Sequence, residues 1–258
     1  QVDNGSSDAC GIASLALNVT TFSCNNVNAN TVILTVTDVN GNSSTCASTV
    51  TVLDTVRPVP NCQNVTVFLN NTGSGATTAS AVNNGSTDNC TIASMVLSQT
   101  SFVCAEVGAN TEILTVTDVN GNSATCSTIV TVLDTVRPIA TCQNITVQLN
   151  NTGTGSTTAA AVNNGSSDAC GIQSLSLSQT TFVCAEVGAN TEVLTVTDVN
   201  GNSTTCSTTI TVEDNVAPVA VCQNITVQLD ITGNANIAAS QVDNGSSDAC
   251  GIASLALN

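Results

Sequence analysis

The chain has 258 residues with no Trp, Tyr, His or Lys, and its two basic residues, Arg57 and Arg137, stand against 18 acids for a net charge of −16. This balance excludes nucleic acid as a partner, and no apolar run approaches the roughly 18 residues that membrane insertion requires. Since the commonest general base and every amine nucleophile are missing, we expect no enzymatic activity.

The 13 cysteines recur along the chain with a period of 80 residues. None of them forms a C-x-x-C pair, so the spacing lacks the signature of a zinc or thioredoxin-type motif. Disulfides formed in an oxidising setting are the better interpretation, which predicts an extracellular or cell-surface protein. The four sets of equivalent positions are Cys10, Cys90, Cys170 and Cys250; Cys24, Cys104 and Cys184; Cys46, Cys126 and Cys206; Cys62, Cys142 and Cys222.

A second, longer periodicity is superimposed on the first. Residues 241–258 are identical at every position to residues 1–18, which lie 240 positions earlier, whereas the equivalent segments 81–98 and 161–178 differ from them. This pattern predicts a higher-order unit of three repeats and a window cut from a longer tandem array. A single period of that length with overlapping ends is the alternative.

Proline-containing segments mark the predicted joints between repeats. Each follows a strand of alternating apolar residues and places a proline where it ends strand pairing and forbids a helix. The joints begin at Asp54, Asp134 and Asp214. They divide the chain into a partial domain at 1–54, complete domains at 55–134 and 135–214, and a partial domain at 215–258.

Within the complete domain 55–134, the sequence predicts strands throughout. Alternating residues predict a strand at 65–69, and two further runs at 113–117 and 128–132 flank Asn120-Gly121, a strong hairpin signal. We expect shorter strands at 75–82, 92–98 and 101–104, and no helix. About seven short strands in a repeat of this length are typical of an all-β fold, a β-sandwich.

Three motifs stand out within the repeats. They are P-x-x-x-C-Q-N-[IV]-T-V at Pro58–Val67 and Pro138–Val147, Asp88-Asn89-Cys90, and T-V-T-D-V-N-G-N-S-x-T-C at 115–126. Together they resemble the hyalin repeat, an Ig-like module of extracellular adhesive proteins. The resemblance implies tandem Ig-like β-sandwich domains of about 80 residues, stapled by disulfides, and no enzymatic activity. Arrays of such repeats resemble surface adhesins and filaments of Bacteroidota. Cys104 departs from the usual pattern as an extra cysteine.

Four cysteines per domain permit three pairings, and two schemes stay open. In the first, the first and last strands of each sandwich lie side by side, which pairs Cys62 with Cys126 and Cys142 with Cys206. Local bridges would then join cysteines that are close in sequence, and Cys46, Cys222 and Cys250 would have partners outside the 258 residues. These bridges are Cys10–Cys24, Cys90–Cys104 and Cys170–Cys184. The rival scheme joins Cys46–Cys62, Cys126–Cys142 and Cys206–Cys222 across the joints.

Calcium is the one ion that the sequence suggests, and no other cofactor is expected. The oxygen-rich segment D-V-N-G-N begins at Asp38, Asp118 and Asp198, although the same residues make a good hairpin turn. The segment around Asp3 and Asp8, copied at Asp243 and Asp248, is a second candidate. The acids at the joints, including Asp54, Asp134 and Asp214, are a third, with solvated acids as the alternative.

Two further expectations concern modification and partners. Thr55 and Thr135 lie in D-T-V segments that resemble an O-glycosylation motif, and N-x-[ST] sequons are frequent, which suggests a glycoprotein. We expect self-association with further copies of the same repeat in a long cell-surface filament. The alternatives are an adhesin module that binds a glycan or a surface protein, and a spacer for a catalytic domain outside the window.

Overall fold

The computed structural model describes residues 1–258 and is built almost entirely from β-strands, in tandem Ig-like β-sandwich repeats. It comprises two compact units. The first holds Gln1–Phe68 and Gly75–Leu133, and the second holds Leu69–Ser74 and Asp134–Asn258. The helices have at most four residues, so none has the length and apolar character needed to cross a membrane.

The strands recur in the same order from repeat to repeat. The first repeat contains β1 (Ile12–Leu17), β2 (Asn28–Asp38) and β3 (Ser43–Val52). The second contains β4 (Val65–Phe68), β5 (Ser74–Ala76), α1 (Ala79–Val82), β6 (Ile92–Leu97), β7 (Ser101–Val103), β8 (Gly108–Asp118) and β9 (Ser123–Leu133). The third contains β10 (Ile145–Gln148), β11 (Thr154–Ser156), α2 (Ala159–Val162), β12 (Ile172–Leu177), β13 (Thr181–Val183), β14 (Gly188–Asp198) and β15 (Ser203–Glu213). Residues 215–258 hold only α3 (Ala239–Val242), and a short 3-10 turn begins at each of Cys24, Cys104 and Cys184.

The third repeat shows the complete sandwich. Its larger sheet has the order β10-β15-β14-β12, and β11 and β13 form a second, two-stranded sheet. The hairpin of β14 and β15 is antiparallel, with Thr197 opposite Ser203, while β10 lies parallel to β15, with Val147 opposite Val212. The four-stranded sheet β4-β9-β8-β6 repeats this order in the second repeat. The predicted all-β sandwich and its Asn-Gly hairpin are confirmed.

Strict alternation along the long strands places the core between the sheets. On β14, Leu194 and Val196 are fully buried, and the same inward face ends in Asp198, which is 0% exposed. Alternate residues of a strand face the same side, so an acid at this position is carried to the end of the core. The buried core consists of Val147, Leu149, Val162, Leu177, Phe182, Leu194, Val196, Ile210 and Val212.

The predicted strand at 75–82 is only partly correct. The strand ends at Ala76, and residues Ala79–Val82 form one helical turn. Thr78 caps this turn, because its hydroxyl oxygen accepts a hydrogen bond from the backbone NH of Ala81 at 3.2 Å. A turn this short carries no helical periodicity, so only the cap residue marks it in the sequence.

Thr91 adopts a backbone conformation that disfavours a β-branched residue, with a φ of 141°. The equivalent residues Gly11, Gly171 and Gly251 have φ values of 103°, 105° and 100°, where glycine meets no Cβ penalty. We therefore expect Thr91→Gly to raise the thermal midpoint of the second repeat, by relieving strain of about 1–3 kcal/mol less the chain entropy of glycine. The reciprocal change Gly171→Thr should lower the midpoint of the third repeat in the same calorimetric measurement, and a fall with Thr91→Gly would contradict the strain.

The first and last repeats are incomplete in complementary ways. In the first, the sheet has the order β1-β2-β3, so β3 has no strand on the side where β9 and β15 meet their parallel partners. In the last, the segment equivalent to β10, at residues 225–228, has no strand beside it. Residues 225–228 therefore correspond to the strand position that is empty beside β3.

Candidate functional site

The joints between repeats carry covalent bonds. Cys24 of the first repeat is bonded to Cys90 of the second, with 5.3 Å between their Cα atoms. Cys184 of the third repeat is bonded to Cys250 of the last, with 5.1 Å between their Cα atoms. Each bond spans a predicted repeat boundary, so consecutive repeats are tied to each other as well as folded on themselves.

Two of the five bridges in the first pairing scheme are confirmed, and the other three are wrong. Cys62 pairs with Cys126 and Cys142 with Cys206, joining the first and last strands of a sandwich as predicted. The predicted local bridges Cys10–Cys24, Cys90–Cys104 and Cys170–Cys184 are absent, because Cys24, Cys90 and Cys184 have the partners given above. Cys104 and Cys170 are also disulfide-bonded, and the free thiols are Cys10, Cys46 and Cys222 rather than Cys46, Cys222 and Cys250. The pairs of the rival scheme are wrong. Disulfides do cross the joints, as that scheme predicted, but they are Cys24–Cys90 and Cys184–Cys250.

The packing of the loop before Cys90 explains why the predicted bridge Cys90–Cys104 is wrong. The side-chain amide of Asn89 donates to Oδ1 of Asp54 at 3.3 Å, and the side-chain amide of Asn122 donates to the carbonyl of Asp54 at 3.1 Å. The first contact holds the loop, and the second holds the turn between β8 and β9, against the end of the preceding repeat, where Cys24 lies. Sequence separation favours the local partner Cys104, but it contains no information on which repeat a loop packs against.

Three acids converge at the first joint. Asp54 lies at the joint, Asp88 lies in the loop before Cys90, and Asp118 ends β8 on its inward face. Carboxylate oxygens of the three residues lie within 4.8 Å of one another. Two of the groups that the sequence offered as separate calcium candidates thus contribute one acid each, Asp118 and Asp54, to a single cluster with Asp88.

The second joint brings two acids together in a similar way. Asp134 and Asp168 place carboxylate oxygens within 4.8 Å of each other and of the disulfide-bonded Cys170. Asp198 is fully buried at the end of β14 and acts electrostatically on Asp134. The side-chain amide of Asn202 donates to the carbonyl of Asp134 at 3.2 Å, as Asn122 does to Asp54.

Asp54 and Asp88 each commit one oxygen to the local backbone, whereas both oxygens of Asp118 accept hydrogen bonds from its hairpin turn. Oδ1 of Asp54 accepts from the NH of Val56 at 3.1 Å, and Oδ2 of Asp88 accepts from the NH of Cys90 at 2.7 Å. No donor of the chain reaches the second oxygens, Oδ2 of Asp54 and Oδ1 of Asp88, although both atoms are buried. The same is true of Oδ2 of Asp134. A buried carboxylate oxygen without a donor is costly, and it marks these acids as more than turn caps.

The pKa values at the joints reflect the same environment. Burial raises the pKa of Asp134; the NH of Val136 opposes this, and the charges of Asp168 and Asp198 raise it further. Burial also raises the pKa of Asp118, but hydrogen bonds from Asn122, Asn120 and Gly121 outweigh it and hold the pKa below its ordinary value. Asp134 at the second joint therefore resists ionisation, whereas Asp118 at the first joint is held ionised by its surroundings.

Other predicted site residues lie outside the clusters. Oδ1 of Asp3 accepts from the backbone NH and the hydroxyl of Ser6, and this hydrogen bonding lowers the pKa of Asp3, so the residue caps its own turn. Oδ1 of Asp8 accepts from the NH of Cys10, and Asp38 caps its hairpin through the NH groups of Asn40 and Asn42. Thr55 and Thr135, the predicted glycosylation sites, are exposed.

Sequence reasoning missed two contributions to the joints. The sequence prediction names Asp8 and Asp248 but not their equivalents Asp88 and Asp168, although an acid stands two positions before each of Cys10, Cys90, Cys170 and Cys250. Asn120 and Asn200, in the same turns as Asp118 and Asp198, each carry a buried side-chain oxygen that no donor reaches. The recurrence of D-x-C across four repeats was the available signal for the acids.

No protein-family model matches this chain, and neither does any curated protein sequence. Among solved structures, cadherin domains 1–4 of protocadherin gamma B7 align with 13% identity and a TM-score of 0.32, covering 80% of this chain and 63% of that one. Immunoglobulin domains 1–4 of Sidekick-1 align with 9% identity and a TM-score of 0.34, covering 72% and 58%. An endo-fucoidan hydrolase of glycoside hydrolase family 107 aligns with 14% identity and a TM-score of 0.25, covering 81% and 40%.

The chain therefore spans 40% and 63% of the length of the first two solved structures it resembles. Since the identities are low and the TM-scores are below 0.5, the assignment of Ig-like sandwiches rests on the sheet order described above. The resemblance to the hyalin repeat stays a prediction.

Proposed function

We propose that this chain is a structural building block of an extracellular fibre, in which residues 215–258 of one copy complete the repeat that holds β1, β2 and β3 in another copy. The strand position that is empty beside β3 carries this proposal. Residues 225–228 of one copy would lie parallel to β3 of the next, as β10 lies parallel to β15 within the third repeat. The joined repeat would then have the same strand order as the complete ones.

Exposed apolar side chains at the C-terminal end support this pairing. Val227 is 47% exposed and Leu229 is 68% exposed, whereas their equivalents Val147 and Leu149 are 5% and 4% exposed. In the complete repeat these two side chains belong to the core. On β3, Val50 and Val52 are half-buried, while Ile210 and Val212 at the same positions of β15 are fully buried. A second copy would remove both apolar surfaces from water, which favours association.

The free thiols support the same partner. Cys222 is the equivalent of Cys142, and Cys46 is the equivalent of Cys206. The latter two are bonded to each other within the third repeat, whereas Cys222 and Cys46 are free and exposed. When the C-terminal end of one copy meets the N-terminal end of the next, the two thiols occupy the positions of that bond.

The duplicated segment decides how the ends fit. Residues 241–258 of one copy are identical to residues 1–18 of the next, and the joined repeat has room for only one of them. Cys250 is already bonded to Cys184, so the first copy's segment is held in place. We therefore expect residues 12–17 of the second copy to leave β2 and be replaced by the identical residues 252–257. Exchange of identical strands changes no sheet contact, which makes it a low-cost route to association.

Cross-linking in a glutathione redox buffer tests this proposal. On a non-reducing gel the full chain should give a ladder of covalent multimers, because each copy carries one Cys46 and one Cys222. Neither Cys46→Ser nor Cys222→Ser should extend beyond a dimer, since each retains only one thiol of the pair. An equal mixture of the two variants should give one mixed dimer, and mass spectrometry should identify its bond as Cys222–Cys46.

Cys10→Ser is the matched control, because Cys10 is also free and exposed but takes no part in the proposed contact. The ladder should persist in this variant. Loss of the ladder in Cys10→Ser, or a mixed dimer bonded through Cys10, would contradict the end-to-end contact.

Composition and cysteine chemistry agree with this role. Ten of the 13 cysteines are disulfide-bonded, and such bonds persist in oxidising compartments, which supports a location outside the cell or at its surface. The lack of His and Lys favours a non-enzymatic protein. Both arginines precede proline, so trypsin-like proteases find no ready site in an exposed fibre. Binding of a glycan or a surface protein, and O-glycosylation of Thr55 and Thr135, stay predictions that no contact in the structure favours.

A further inference from the structure

We propose that each complete joint binds one calcium ion between its three acids. At the first joint the ligands are Asp54, Asp88 and Asp118, and at the second they are Asp134, Asp168 and Asp198. The proposal concerns joints that lie within one chain, so it stands or falls separately from the end-to-end contact proposed above.

The first observation is the convergence of oxygen ligands from three separate elements. Asp54, Asp88 and Asp118 place carboxylate oxygens within 4.8 Å of one another, close enough for a single ion with ligand distances of about 2.3–2.6 Å to reach all three. The residues come from the joint, a loop and the end of a long strand, and they are fixed by hydrogen bonds to Val56, Cys90 and Asn122. The ligand positions are therefore set before an ion binds, which reduces the entropy cost of binding.

The second observation is the set of buried oxygens that no donor of the chain reaches. Asp134 is only 8% exposed, and its Oδ2 has no hydrogen-bond partner. At the first joint, Oδ2 of Asp54 and Oδ1 of Asp88 are likewise buried and have no hydrogen-bond partner. Buried carboxylates are normally paired with a cation or a donor, so these atoms point to a cation as their missing partner.

The charge balance also favours a divalent cation. Three carboxylates meet at a joint in a chain whose basic residues number two. Arg137 lines the same surface cavity as Asp168, and it is one monovalent charge beside three acids. A divalent ion would reduce the charge of the cluster from −3 to −1, which removes most of the repulsion between the carboxylates.

The ligand chemistry selects calcium among common cations. All of the candidate ligands are oxygens, and the buried amide oxygens of Asn120 and Asn200 lie in the same turns as Asp118 and Asp198. Calcium accepts six to eight oxygen ligands in flexible geometry, whereas magnesium demands an octahedron and retains several waters. The cysteine beside the acids of the second joint, Cys170, is disulfide-bonded, so it offers no thiolate to a zinc ion.

The third joint provides an internal control. Asp214 and Asp248 repeat the first two acids, but the 258 residues contain no equivalent of the hairpin acid Asp198 for this joint. We expect this pair of carboxylates to bind calcium more weakly than the complete clusters.

Calcium titration of the full chain, stripped with a chelator, tests the proposal. Isothermal calorimetry or equilibrium dialysis should give two ions per chain, since the absence of Trp and Tyr rules out sensitised lanthanide emission as a readout. At free calcium about 100 times the dissociation constant, each site should shift the unfolding equilibrium of its joint about 100-fold. Asp134→Asn, which keeps the shape of the side chain, should reduce the stoichiometry from two to one.

The sign of the stability change separates a metal site from an ordinary acidic cluster. In chelator, Asp134→Asn should raise the thermal midpoint of the second unit, because it removes one of three mutually repelling charges. In calcium, the same variant should melt below the unchanged chain. Asp214→Asn is the matched control and should leave two ions bound. Asp54→Asn repeats the test at the first joint. Unchanged stoichiometry in both joint variants, or a chain that binds no calcium at millimolar concentration, would overturn the proposal.

Discussion

Removal of the bond between the first and last strands of the third repeat, by the double substitution Cys142→Ser and Cys206→Ser, should lower the stability of that repeat by about 4 kcal/mol. The bond closes a loop with a sequence separation of 64, and loop closure restricts the unfolded chain. It also anchors β10 beside β15, a pairing of only four residues, so its loss should release the N-terminal strand first. Hydrogen exchange measured by mass spectrometry would report the loss as faster exchange at Ile145–Gln148 and along β15.

The double substitution Cys184→Ser and Cys250→Ser is the matched comparison. Its bond has nearly the same sequence separation, 66, but it ties the third repeat to the last one. We therefore expect the core of the third repeat to retain its protection, while exchange accelerates in residues 215–258. If the two double variants lost protection in the same residues, the distinction between bonds within and between repeats would be wrong.

Replacement of the one buried aromatic residue of the third repeat, Phe182→Ala, should cost about 3–5 kcal/mol. Phe182 is 1% exposed and packs in the core with Leu177, Leu194 and Ile210. In a repeat of about 80 residues with so few large side chains, no neighbour can fill the cavity that the ring leaves. The loss is a large part of the 5–15 kcal/mol typical of a domain, and denaturant titration with the disulfides intact would measure it.

Phe22→Ala provides the control in the same sequence context. Phe22 occupies the same position of the first repeat, but it is only half-buried, since that repeat lacks part of its sandwich. Its removal should cost clearly less than that of Phe182. Equal losses would show that the first repeat is completed in solution, for instance by a second copy at low concentration, and a dilution series would reveal this.

The stability of each repeat depends on disulfides as well as on a small core. Each complete repeat combines a bond between its first and last strands with a core that holds one phenylalanine, and bonds such as Cys24–Cys90 tie successive repeats together. Small domains depend strongly on such covalent staples, because they bury little apolar surface. At the first joint, the proposed calcium ion would act beside the bond Cys24–Cys90.

The sequence by itself determined what repetition and alternation encode. The period of 80 residues, the all-β sandwich and the hairpin at Asn120-Gly121 followed from it. The bonds Cys62–Cys126 and Cys142–Cys206 belonged to one of the two pairing schemes that it left open. Each of these depends on the periodicity of a strand, the chemistry of a turn or the neighbourhood of first and last strands. Such features are local, or they are fixed by the topology of a single sandwich.

Only the tertiary structure decided which residues meet at the joints. The loop that carries Asp88 and Cys90 packs against the preceding repeat, so Cys90 bonds to Cys24 and Asp88 joins Asp54 and Asp118. Spacing along the chain favoured the nearer Cys104, and the sequence offered Asp54 and Asp118 as separate candidates without Asp88. The physical reason is that a loop's orientation is set by hydrogen bonds and packing between repeats, and these contacts leave no periodic signal in the sequence.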